Sequence, residues 1–137
     1  MRPLSPLPLL MLTLLAGCAG PLPKPDPDMA WVELRAPGRD SFMAQRLDGR
    51  RLDDGRYFQV PPGKHRLEAS YEYEVSGGGS IHNEPQFIRC RMDVTYDDFR
   101  AGERYLFEAH AMGFTPVVRL RGPHGEVIAE AERSLCL

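Results

Sequence analysis

The chain has 137 residues, with 17 Lys and Arg against 19 Asp and Glu and a formal net charge of −2. That length holds one domain. The charges are mixed with no basic block, which argues against a nucleic-acid partner, because backbone binding needs a concentrated positive face. His65, His82, His110 and His124 form no i, i+2 or i, i+4 pair, and no Cys-x-x-Cys accompanies them. No metal site is implied, and no other cofactor is expected.

The first segment is an address. Arg2 and the apolar run Leu7 to Leu15 read as a secretory signal. The run is shorter than the ~20 residues that a membrane-crossing helix needs, and Pro3, Pro6 and Pro8 interrupt helix at its start. The run closes on Leu15-Ala16-Gly17-Cys18, which resembles the lipobox of bacterial lipoprotein signal peptides. The resemblance implies removal of residues 1–17, lipid on Cys18 and attachment to a membrane through that lipid. It also implies sorting to the outer membrane, facing the periplasm, since Ala19 stands where inner-membrane members commonly carry Asp. Pro21, Pro23, Pro25 and Pro27 then favour an extended tether, and ten such residues reach on the order of 30 Å. The expected organisation is signal peptide 1–17, lipidated Cys and linker 18–28, and one β-domain over 29–137.

From Met29 onward the pattern has period two. Strands are predicted at Ala30–Arg35, Ser41–Leu47 and Tyr57–Val60, punctuated by Pro37-Gly38, Asp48-Gly49 and Asp53-Asp54-Gly55. Pro61-Pro62-Gly63 predicts a hairpin or sharp turn. Beyond it Leu67, Ala69, Tyr71, Tyr73 and Val75 alternate with Arg66, Glu68, Ser70, Glu72 and Glu74, the mark of a half-buried antiparallel strand. The glycine-rich 76–86 segment is a long loop. A strand follows over Phe87–Tyr96, with Ile88, Cys90, Met92, Val94 and Tyr96 on one face. Asp97 to Gly102 reads as a turn, Tyr105–Ala111 as a strand, and Gly122-Pro123-His124-Gly125 as a hairpin between Val117–Arg121 and Glu126–Ala131. Helical propensity over Ala129–Leu135 competes with strand, and strand is assigned because the hairpin needs a partner. The fold expected is all-β, a small antiparallel β-sandwich or barrel of about 7–8 strands. Val60-Pro61-Pro62-Gly63-Lys64-His65-Arg66-Leu67-Glu68-Ala69 resembles the Pro-Gly-x-His hairpin of PEGA-type β-domains, which implies a surface sandwich in an extracytoplasmic setting and no activity.

With Cys18 assigned to lipid, Cys90 and Cys136 remain as an even pair, and the implied oxidising compartment favours a disulfide over two buried thiols. Asp53-Asp54 and Asp97-Asp98 are sequence neighbours beside turns, unlike the opposed carboxylates of a glycosidase. Gly77-Gly78-Gly79 lacks the Lys-Ser or Lys-Thr of a phosphate loop, and no Gly-x-Ser-x-Gly elbow occurs. No catalytic residues are expected. Most aromatic residues fall on inward positions as core. Tyr57 beside Arg56, and Phe87 beside Arg89 and Arg91, fall outward and form a candidate partner surface. The expected role is a lipid-anchored, non-enzymatic module that binds an envelope protein or supports an envelope assembly. The rival is a small-ligand or glycan-binding protein with a pocket near the 76–86 loop.

Overall fold

The computed structural model describes residues 20–76 and 84–137. The expected signal with Cys18, and the loop residues 77–83 with His82, lie outside the described residues. The described strands are β1 (Ala30–Arg35), β2 (Ser41–Leu47), β3 (Arg50–Arg51), β4 (Tyr57–Val60), β5 (Gly63–Val75), β6 (Gln86–Phe99), β7 (Arg104–Met112), β8 (Thr115–Arg121), β9 (Val127–Glu130) and β10 (Glu132–Cys136). They form two sheets, ordered β4-β1-β7-β8-β9 and β10-β6-β5-β2-β3.

The alternation in sequence becomes the core between these sheets. Val32, Phe58, Phe107 and Leu120 face inward from the first; Phe42, Leu67, Tyr71 and Met92 face them from the second. Phe42 and Phe107 meet across the gap with ring centroids 5.0 Å apart. The architecture is therefore a sandwich, and the barrel alternative does not hold because the two sheets do not close on each other. Nor is it wholly antiparallel: β1 and β7 pair in parallel, Trp31 opposite Arg104 and Arg35 opposite Glu108. Alternation reveals which face a residue takes and says nothing of strand direction. The described residues form ten strands where seven or eight were expected, the additions being the two-residue β3 and the terminal β10.

Crossings between the sheets account for the other differences. β4 and β5 lie in different sheets, so Val60-Pro61-Pro62-Gly63 is a sharp corner and not a hairpin. Gly63 turns there at φ 107°, a conformation that a side chain would oppose. Asp48 and Gly49, at φ 51° and 81°, do make the predicted tight hairpin between β2 and β3. Asp97 and Asp98 are not a turn; β6 runs through them because Phe99 pairs with Gly63 and buries its ring. At Ala131 the chain leaves β9 and crosses, and Glu132 pairs with Asp93 of β6.

The proline-rich stretch does not simply project away. Asp26 N–H donates to Gln59 Oε1 at 2.8 Å, and Arg56 Nη1 donates to the Gly20 carbonyl at 2.8 Å. Since Arg56 precedes β4 and Gln59 lies near its end, residues 20–26 run along the outer side of β4 in the direction of β4, opposite to β1. Extended proline-rich chain exposes unpaired backbone groups, and these two bonds satisfy some of them against the domain.

Candidate functional site

Between inward residues of β2, β5 and β6 stand Met43, Ser70, Glu72, Arg89 and Arg91, which share the outer face of the second sheet. Register sets Glu72 opposite Arg89 and Ser70 opposite both Met43 and Arg91. β3 contributes Arg51 on one side, and Leu135 and Leu137 stand on the other, where Leu137 exchanges backbone hydrogen bonds with Arg89. Together they wall an open groove of about 510 Å³. Arg46, Arg51, Arg89 and Arg91 line it against Glu68 and Glu72. Arg89 holds Glu72 through Nε at 2.8 Å and Nη2 at 2.5 Å. Four guanidinium groups and two carboxylates share this lining, and Met43, Leu135 and Leu137 supply apolar contact. This combination suits a partner that presents carboxylates beside apolar side chains.

Farther along the same face the charge reverses. Glu68 lies opposite Asp93, and Asp93 lies opposite Glu132. Arg66 spans the first pair, 2.9 Å from Asp93 Oδ2 and 3.7 Å from Glu68 Oε1. Its hydrogen bond to Asp93, then the charges of Asp93 and Glu68, hold the guanidinium above its ordinary pKa. Asp93 Oδ1 is buried without a hydrogen-bond partner among the described residues. No group of three or more His, Cys, Asp or Glu among the described residues could hold a metal ion.

The structure divides the expected partner surface. Phe87, Arg89 and Arg91 share one face of β6, whereas Tyr57 sits in the other sheet. There it stacks on Trp31 with centroids 4.4 Å apart and planes 8° from parallel. Trp31 is thus buried outside the core, on the side of the sheet where Asp26 is bonded to Gln59. His65 Nδ1 lies 2.5 Å from Asp48 Oδ2, tying the start of β5 to the β2–β3 turn. Asp48 also accepts from the Arg66 N–H at 2.9 Å. Partial burial raises its pKa, but the Arg66 N–H and the His65 hydrogen bond and charge outweigh this, so the carboxyl sits below its ordinary value.

The acidic pairs serve turns and ion pairs. Asp54 accepts from the Arg56 side chain and N–H, which hold its pKa down to about 2. Asp98 pairs with Arg100, and Asp97 lies 3.8 Å from Lys64. Cys90 and Cys136 form a disulfide that joins directly opposed residues of β6 and β10. The groove residues that sequence reasoning missed are Met43, Arg46, Arg51, Leu135 and Leu137. A signal existed for the last two, because an inward Cys136 forces both flanking leucines outward.

No protein-family model, curated protein or solved structure matches the chain.

Proposed function

We propose that this protein is a lipid-anchored envelope module that performs no chemistry and binds an envelope protein through the outer face of β2, β5 and β6. The lipobox-like Leu15-Ala16-Gly17-Cys18 supports the anchor. The observation that carries the binding role is the groove itself, where four arginines and exposed leucines meet on one sheet face. Arginine and methionine, both present in this groove, are enriched at protein interfaces. Tethering confines such a module to the membrane surface and raises its effective concentration for an equally confined partner.

The test is crosslinking in cells, with a photoreactive residue replacing Met43, followed by identification of the adduct. A discrete adduct is expected, weakened at least about tenfold by Arg51→Glu with Arg91→Glu, since truncated interface hot spots commonly cost more than a factor of ten. Adducts unchanged by charge reversal would sink the reading. A second reading, a small anionic ligand or glycan, draws on the groove volume, which falls in the range of small-molecule sites. Retention of the purified domain on immobilised acidic sugars, competed by free sugar, would favour it over a protein partner.

A further inference from the structure

The exposed apolar residues are not spread evenly over the molecule. β1 ends at Arg35, level with Glu108 of its parallel neighbour β7, and β7 continues past that level to the hairpin tip. Met112 and Phe114 stand at this tip, 66% and 62% exposed. A turn of only five residues joins the end of β1 to Ser41, which pairs with Glu72 near the end of β5. The start of β6 is therefore at the same end of the sandwich, and Phe87 there is 67% exposed. Leu137, 82% exposed, pairs beside it at Arg89. At the opposite end, where β8 returns to β9, the large exposed apolar residue among the described residues is Val127.

The tether leads to the apolar end. From Asp26 at Gln59, the chain runs back to Gly20 at Arg56, and Arg56 immediately precedes the partner of Glu33 in β1. That direction is toward the end of β1, hence toward the β7–β8 tip. Cys18 is two residues farther on in the sequence, at most about 7 Å of chain. Tyr57 is level with Glu33 and so with Leu106, and Met112 lies six residues, about 20 Å, farther along β7, so a lipid on Cys18 would hold the bilayer on the tip side of the domain with less than the length of β7 between them. On this side Arg35 pairs with Glu33 and Arg56 with Asp54, which lowers the electrostatic cost of bringing these four groups to a surface. Exposed apolar side chains gathered at one end lose contact with water on entering the interfacial layer.

We propose that this end of the sandwich, led by Met112 and Phe114 with Phe87 at the same end, rests in the interfacial layer of the phospholipid bilayer that holds the Cys18 lipid. The proposal rests on the lipid-anchor reading and adds an orientation to it: the Gly102 turn and Val127 point away from the membrane, and the arginine groove stands upright on it.

The mature protein with its lipid is reconstituted into vesicles of phosphatidylethanolamine and phosphatidylglycerol, with and without spin-labelled phospholipid. The natural cysteines are committed to lipid and to the disulfide, so one environment-sensitive thiol label can be placed at Phe114→Cys, Phe87→Cys, Val127→Cys or Ala101→Cys. All four positions are exposed, so the substitutions leave the core intact. The apolar Val127 position controls for insertion driven by the label itself. Quenching by spin-labelled lipid is expected to be at least about threefold stronger at Phe114 and Phe87 than at Val127 and Ala101, because contact quenching requires residence in the layer. Mass measurement of the N-terminal peptide establishes separately whether Cys18 is lipidated. Lipid present with equal quenching at all four positions overturns the orientation and leaves the anchor standing. Lipid present with Phe114 shielded from water but unquenched means that a protein covers the tip, which also overturns it. Absence of lipid mass overturns the anchor and this inference together.

Discussion

The disulfide between Cys90 and Cys136 should hold more than the edge strand to which it is attached. It closes a loop with a sequence separation of 46 residues. Chain-entropy reasoning gives such a cross-link a stabilisation of about 4 kcal/mol, by restricting the unfolded chain. A domain of this size has a total stability of about 5–15 kcal/mol, so the bond is a large share of it. Cys90 is fully buried, and reduction leaves its packing nearly in place; the entropic effect should therefore dominate. The assay is urea unfolding of the oxidised and reduced protein followed by Trp31, the one tryptophan. Trp31 lies in β1 of the opposite sheet, stacked on Tyr57, and reports global unfolding rather than fraying of β10. Reduction should lower the midpoint by the equivalent of up to about 4 kcal/mol and raise the slope, because an uncrosslinked chain exposes more surface on unfolding. A loss below about 1 kcal/mol at unchanged slope, with β10 alone becoming protease-sensitive, would refute the reasoning and leave the bond as a local staple.

The remaining expectations are simpler. Tyr71→Phe removes the hydroxyl that donates to Asp40 Oδ2 at 2.6 Å while keeping the ring, and should cost about 1.5–3 kcal/mol in urea titration. Phe107→Ala empties the centre of the core beneath Phe42 and Phe58 and should cost about 3–5 kcal/mol by the same measurement. Asp48, whose pKa is depressed in the folded protein, contributes stability that is present above its ordinary unfolded value and lost as pH falls through the folded value. Thermal melts between pH 5 and 2 should therefore show a flatter decline for Asp48→Asn than for the native chain. The carboxyl is half exposed, so solvent screening keeps this difference small.

The strands were legible where alternation was strict. Leu67 to Val75 carries its inward and outward sets without interruption, and the structure buries or half-buries every inward member. Three features left no periodic trace. The parallel pairing of β1 with β7 joins segments separated by almost the whole second sheet, and neither segment encodes the direction of its neighbour. β6 persists through Asp97 and Asp98 because Phe99 gains a buried place opposite Gly63, and that gain overrides the turn preference of the two aspartates. The 20–27 stretch reads as free polyproline because alternating prolines dominate its composition. Its attachment uses backbone groups of Gly20 and Asp26, which composition does not reveal.

The candidate groove shows why a sheet surface is harder to read than a sheet core. Inward residues announce themselves by being apolar, so one strand suffices to identify them. Outward residues acquire meaning from the strands beside them, and Arg89, Arg91, Met43 and Arg51 come together through register across β6, β5, β2 and β3. A bulge between Ala44 and Arg46 shifts the pairing of β2 with β5 by one residue, so alternation counted from Ser41 fails at Arg46. Tyr57 illustrates the reverse case: its outward position was legible, but its sheet was not. It lies in the first sheet, apart from Phe87, Arg89 and Arg91, and stacks on Trp31. Which outward residues meet on this fold is therefore fixed by neighbour order and register, and the cysteine pair was the long-range register signal visible in the sequence. Its opposition of residues 90 and 136 sets Leu135 opposite Arg91 and brings Leu137 to Arg89, and so defines one wall of the groove.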